Sequence, residues 1–183
     1  MSVMFAEEKY GPKAHSVNQI AEKLLTSDWY EKAGVEEESA EKQLQQFLTA
    51  INVSEYEIKW LTKKDFPEVI GHFSFNDSPL WDVLKDLPDH LKKAIENNNR
   101  VSLLEAVVDI IPEAVFHQAF DKAFKQFGDE KSVGFLVGHA MYMSVMACTA
   151  DLADQGDLFT PILHLIGSGH VPVGAEGKTV YLL

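Results

Sequence analysis

A single cysteine, Cys148, stands in the 183 residues, so no intrachain disulfide can form and no CxxC metal or redox site exists. Such usage fits a reducing compartment, and the chain is expected to be cytoplasmic. Cys148 lies in an apolar run with no Lys or Arg near it, the setting of a small buried hydrophobe. A reactive thiol needs an electropositive, open environment. Basic residues are also scarce: 16 Lys and Arg against 28 Asp and Glu leave a net charge of −12. Contact with nucleic acid rests on neutralising phosphates and is disfavoured. A basic protein partner, or solubility alone, suits the acidity. The N-terminal stretch MSVMFAEEKYGPKAHS carries glutamates and no long apolar run, unlike a secretory signal. The one long apolar run, residues 133–150, approaches the roughly 18-residue minimum for a membrane span. It contains His139 and several small residues, and reads as a central helix wrapped by others, with no membrane partner.

Catalytic motifs are missing as well. There is no Gly-x-Ser-x-Gly elbow, no His-Glu-x-x-His and no Glu-to-His pair at i, i+3 of the di-iron kind. Gly167-Ser168-Gly169 follows a helix and is not succeeded by Lys-Ser/Thr, so it is no phosphate loop.

What remains is ordinary globular material, 46% hydrophobic and 24% charged, with helical periodicity through most of its length. Residues 1–15 are expected to be loosely ordered, and residues 16–183 to form one helical domain. Ser16-Val17-Asn18-Gln19, Ser54-Glu55-Tyr56-Glu57 and Ser102-Leu103-Leu104-Glu105 each have capping-box form and predict helix starts. The second would open a helix holding Tyr56, Ile58, Trp60 and Leu61. Gly34 is placed at or after the end of the first helix. Gly71 to Asp77 reads as a loop pinned by Phe73 and Phe75. Pro88 should break or kink one helix, and Pro112 should restart the chain. Val115, Ala119 and Ala123, with Phe116, Phe120 and Phe124 beside them, make a face wide enough to pack on two neighbours. Gly134 and Gly138, four apart, would let another helix approach. Beyond residue 170 the period changes: Val171-Pro172-Val173 and residues 178–182 flank Gly174-Ala175-Glu176-Gly177, a hairpin over 170–182 with a four-residue loop. The fold class is therefore mainly α, an irregular or orthogonal array of about seven or eight helices with a small C-terminal β-hairpin.

Four histidines fall in the second half. His117 and Asp121 share a helix face at i, i+4, a spacing that suits a metal pair or a base with its orienting carboxylate. His139, within the most apolar helix, needs a partner, and one hydrogen bond would satisfy it. His164 and His170 flank the Gly-Ser-Gly turn and are read as solvent-exposed. Asp151, Asp154 and Asp157 are three apart, unlike an EF-hand, and sit at a helix C-terminus where a basic side chain or cation would compensate them. Two functions follow. One is a non-catalytic, acidic interaction or regulatory protein that binds another protein or a second copy of itself, through the Asp series and the hairpin edge around Val171 and Val173. It needs no cofactor. The other is a metal- or small-molecule-binding protein, or an enzyme, with a divalent cation or ligand held by His117, Asp121 and His139 between the two central helices.

Overall fold

The computed structural model describes residues 4–72 and 77–183. In chain order its elements are α1 (Glu7–Tyr10), α2 (Lys13–Leu25), α3 (Glu38–Ala50), β1 (Glu57–Trp60), α4 (Phe66–Val69), α5 (Leu80–Asn97), α6 (Val101–Phe127), α7 (Glu130–Leu152), α8 (Thr160–Gly167), β2 (Pro172–Glu176) and β3 (Thr179–Leu182). The mainly helical array with a small C-terminal sheet is present as expected. Phe73 and Phe75 lie outside the described residues.

The architecture is organised by α7. Asp129 starts it: its carboxylate accepts from the Ser132 backbone N–H at 2.8 Å, satisfying one of the orphan donors of the first turn. Val133, Leu136, Val137, Ala140, Met143, Ala147 and Leu152 are all buried, and α2, α5 and α6 pack around them. Ser144 and Thr149, inside this apolar helix, donate to the carbonyls of Ala140 and Val145, both at 2.7 Å, so their hydroxyls carry no unmet desolvation cost. By length and composition α7 is apolar enough to cross a membrane, yet 61% of its most apolar window is buried inside the fold. That burial is the central-helix arrangement inferred from its sequence.

The longest helix, α6, runs from its cap at Arg100 to the left-handed Gly128 without a break. Pro112 lies inside it and does not restart the chain. A proline removes the donor to the carbonyl four residues back. Here that carbonyl belongs to Val108, a residue 53% exposed, where water can take the bond. Leu103, Val107, Ile111, Val115, Ala119 and Ala123 form the fully buried row of α6, and the two alanines permit close packing on α7.

Several elements differ from expectation. Residues 57–60 are not helical: β1 pairs parallel with β3, Ile58 opposite Val180 and Trp60 opposite Leu182. Tyr56, Ile58 and Trp60 alternate with Glu57 and Lys59, and the period-2 burial that this allows outweighs the local capping signature. The sheet order is therefore β1-β3-β2, with β3 central. The hairpin loop is also shorter than predicted, since Glu176 pairs with Thr179 across Gly177 and Lys178. Residues 4–15 pack on the fold: Phe5 is fully buried, and its backbone N–H and C=O bond the Asn18 amide at 2.9 and 2.8 Å. Accordingly α2 begins at Lys13, and Ser16 does not cap it. It ends at Leu25, well before Gly34, as the Thr26 hydroxyl bonds back to Glu22. The following loop is packed by Trp29 and Tyr30, both fully buried; the Tyr30 hydroxyl donates to the Leu136 carbonyl at 2.6 Å.

Gly134 and Gly138 are exposed, with nothing within 4 Å of where a Cβ would stand, so among the described residues no helix uses them for close approach. Gly169 is the opposite case. Its φ is +88° and a Cβ would stand 2.8 Å from the Lys32 backbone nitrogen. Urea unfolding should separate them. Gly138→Ala is expected to add up to about 1 kcal/mol through helix propensity, whereas Gly169→Ala should cost more than about 1 kcal/mol.

Candidate functional site

The candidate metal or ligand set does not assemble. His117 and Asp121 are exposed on α6, while His139 lines a cavity on the other side of α7's packing, bounded by α3, α5 and the sheet. Among the described residues no group of three or more His, Cys, Asp or Glu side chains comes together as a cation site. Cys148 is fully buried, and burial pushes its thiol up to about 12, with the Asp151 charge acting in the same direction. It has none of the features of a nucleophile.

The C-terminal acids are answered from within the chain. Asp151 accepts from the Ser16 hydroxyl at 2.6 Å and lies 3.4 Å from the Lys13 ammonium. Asp154 meets Lys13 at 3.1 Å and Arg100 at 2.8 Å, and these two bonds hold its carboxyl below its ordinary range. Arg100 also donates to the Leu152 carbonyl at 2.7 Å, closing the end of α7. The compensation expected at this helix end is thus intramolecular, and two of the three acids are not free for a partner; Asp157 is exposed in the turn Gly156–Leu158. Val171 and Val173 are buried, and the Val171 backbone exchanges both hydrogen bonds with Leu183 at 2.9 Å, so neither side chain is available at an edge. His164 is exposed, as read. His170 is not: it is fully buried, bonded through Nε2 to the Val35 carbonyl at 2.8 Å and through Nδ1 to the Ser168 hydroxyl at 3.1 Å, with the Trp60 ring edge-on at 5.3 Å. Trp60 reaches it only because residues 57–60 form a strand.

Two features stand out instead. The first is the cavity, about 90 Å³ in volume. Its walls are Leu44 and Leu48 of α3, Trp81 and Leu84 of α5, Met143 and Met146 of α7, Phe159, and Val180 of β3. The turn of the sheet is clamped to the start of α5, the Ser78 hydroxyl donating to the Gly177 carbonyl and the Gly177 N–H to the Asp77 carbonyl, each at 2.6 Å. This joins two walls. Among the described residues no Lys, Arg, Asp or Glu lines the space. Its lining residues with a polar side-chain atom are Tyr142, 49% exposed, His139 and Trp81, whose Nε1 is buried without an acceptor. His139 Nε2 donates to the Pro172 carbonyl, which requires a protonated Nε2 and leaves Nδ1 as the acceptor of a neutral ring. That bond is the single partner inferred for a core histidine.

The second feature is a ridge on α6. Phe116, Phe120 and Phe124 are 39, 38 and 52% exposed, and successive rings stack with centroids 5.5 and 6.1 Å apart. They do not pack on a second neighbour as expected. Position 116 lies about 100° around the helix from 115, so the row beside the buried one turns outward. The same row continues toward the N-terminus as Glu105, Asp109 and Glu113, all exposed, with Asp121 alongside. The i, i+4 spacing of the phenylalanines was visible in sequence; which of two adjacent apolar rows faces α7 was not.

No family model matches this chain, nor does any curated protein or solved structure.

Burial lowers the His139 pKa from 6.5 to about 4, and the Pro172 bond only partly opposes it. Between those values the unfolded chain takes up a proton that the folded chain refuses, so stability falls as pH drops from about 6.5 toward 4. Denaturation midpoints across this window should show the loss in the natural protein. His139→Gln, which retains a donor for Pro172, should flatten that part of the slope. Parallel curves for the two proteins would refute the assignment.

Proposed function

We propose that this is a non-catalytic interaction protein whose binding surface is the ridge of α6 and whose partner presents a basic amphipathic helix. The observation that carries this is the exposed stack of Phe116, Phe120 and Phe124 in line with three carboxylates. Three large aromatic rings left in water cost burial free energy that folding does not recover, and contiguous exposed apolar surface of this kind is characteristic of contact sites. Aromatic rings are also the residues that dominate interface energetics. The acidic continuation of the row supplies sign: Glu105, Asp109, Glu113 and Asp121 outnumber Lys125 among the exposed charges of α6. A net charge of −12 opposes pairing with a second acidic copy. A helix with apolar residues at i, i+4 and i+7 beside Lys and Arg meets both halves of the ridge.

Fluorescence anisotropy with two labelled synthetic helices of identical Leu spacing, one Lys-rich and one Glu-rich, tests this. The Lys-rich helix is expected to bind, more weakly as ionic strength rises from about 0.05 to about 0.5 M. The Glu-rich helix should not. Replacing Phe116, Phe120 and Phe124 together by Ala should weaken binding at least about tenfold with the fold intact by circular dichroism. Equal binding of both helices, or undiminished binding by the triple variant, would overturn the proposal. So would a dimer in sedimentation that the triple variant disperses, because the ridge would then belong to a second copy.

A further inference from the structure

We infer that the outer edge of β1 pairs with the same edge of a second copy of this chain, antiparallel about Ile58, so that two sheets join into one. This contact is separate from the α6 ridge and does not depend on what the ridge binds.

The backbone of β1 has one side committed and one side open. The Glu57 N–H donates to the Lys178 carbonyl at 2.8 Å and the Leu61 N–H to the Leu182 carbonyl at 2.9 Å. In this parallel register the odd-numbered residues therefore turn their N–H and C=O groups toward β3. Ile58 and Trp60 turn theirs the other way, where among the described residues no strand pairs with them. Folds usually blunt such an edge, because its unpaired groups template another strand. The opposite edge of this sheet is blunted. In β2, Pro172 has no N–H, the ladder slips between Pro172 and Gly174, and His139 takes the Pro172 carbonyl. Val173, Gly174 and Ala175 are buried besides. β1 has neither a proline nor a slip in register; Glu57 and Lys59 are exposed, and Ile58 and Trp60 are half-buried.

Charge decides the occupant and its register. In an antiparallel pair, outward groups must meet outward groups. A two-fold axis within β1 can then pass through Glu57, Ile58, Lys59 or Trp60. The first sets Glu57 against Glu57 and the third sets Lys59 against Lys59, which is unfavourable. The last runs past the end of the strand, where the loop at Gly34 closes on the Leu61–Lys63 backbone. The axis at Ile58 remains. Ile58 then exchanges both backbone bonds with its twin, and Trp60 stands opposite the copy's Tyr56. Glu57 meets the copy's Lys59 and Lys59 its Glu57, both in the closely spaced, non-hydrogen-bonded positions. An alternating Glu-x-Lys edge rejects most strands and complements itself. The net charge of −12 does not forbid this contact. Repulsion between distant charges is screened over about 8 Å at physiological ionic strength. At the edge itself two acids face two bases, Glu57 with Lys59 at 4.0 Å and Glu55 with Lys178 at 3.1 Å. Two four-residue edges make a small contact, so the dimer belongs to the weak, transient class.

Sedimentation equilibrium from about 0.01 to about 1 mM at physiological ionic strength covers the affinities of that class. The natural chain should dimerise within it. Lys59→Glu and Glu57→Lys alter only exposed side chains, and each should weaken the dimer at least about tenfold by opposing like charges. The double reversal Glu57→Lys/Lys59→Glu should restore it, and so should an equimolar mixture of the two single variants, which can pair only with each other. Amide hydrogen exchange should slow at Ile58 as concentration rises, while Glu57, already bonded to Lys178, should not change. A monomer at the highest concentration overturns the inference, as does a dimer that either single variant leaves at its natural affinity. Failure of both the double reversal and the mixture to restore pairing refutes the register. A dimer that survives these variants and is dispersed by joint replacement of Phe116, Phe120 and Phe124 would belong to the ridge, and the edge would be unused.

Discussion

The burial of α7 is the constraint on which the rest of the molecule depends. A helix without a broad polar face has to be covered almost all round. Beyond its first residue, Glu130, only the narrow strip of Lys131, Gly134, Gly138 and Tyr142 is exposed to solvent. The small-residue row of α6 covers one side, α2 and α5 two others, and the sheet reaches it through the bond between His139 and the Pro172 carbonyl. Most polar groups that this burial would strand find a partner: Ser144 and Thr149 bond back along the helix and Arg100 takes the terminal carbonyl of Leu152, while the Ser132 hydroxyl stays buried without one.

Two clasps complete that coverage. Lys13, Ser16 and Arg100 gather Asp151 and Asp154, tying the start of α2 and the turn before α6 to the far end of α7. At the other end the loop after α2 is locked by long-range bonds: Tyr30 to Leu136, Lys32 to Gly169, and His170 to Val35. Burial raises the Tyr30 hydroxyl well above its ordinary pKa, so it stays a donor. These loops connect elements far apart in sequence and are ordered by tertiary hydrogen bonds, not by local propensity.

The proposed contact surface and the cavity between α3, α5, α7 and the sheet have opposite physical characters. The α6 ridge is apolar surface with water on it, bordered by exposed acid; the cavity is apolar space with no Lys, Arg, Asp or Glu among the described residues of its wall. They are formed by different elements.

Helical periodicity by itself determined the mainly α class, the positions of α2, α3, α5 and α7, and the identity of α7 as the centre, because a 3.6-residue apolar stripe has few ways to be buried. It also determined that Cys148 would be inert and that His139 would need one partner. The rest depended on neighbours. Residues 57–60 have a capping signature and a period-2 pattern together, and only the availability of β3 decided between them. Val115 and Phe116 are equally apolar, and only the docking of α6 on α7 decided which faces water. The acids after α7 waited on Lys13 and Arg100, more than fifty residues away. The histidines that looked alike in sequence were separated by packing, His170 into the core and His117 onto the surface. Local sequence carries the periodicity of a segment; the partner that completes each polar group, and the side of each helix that stays wet, exist only once distant segments meet.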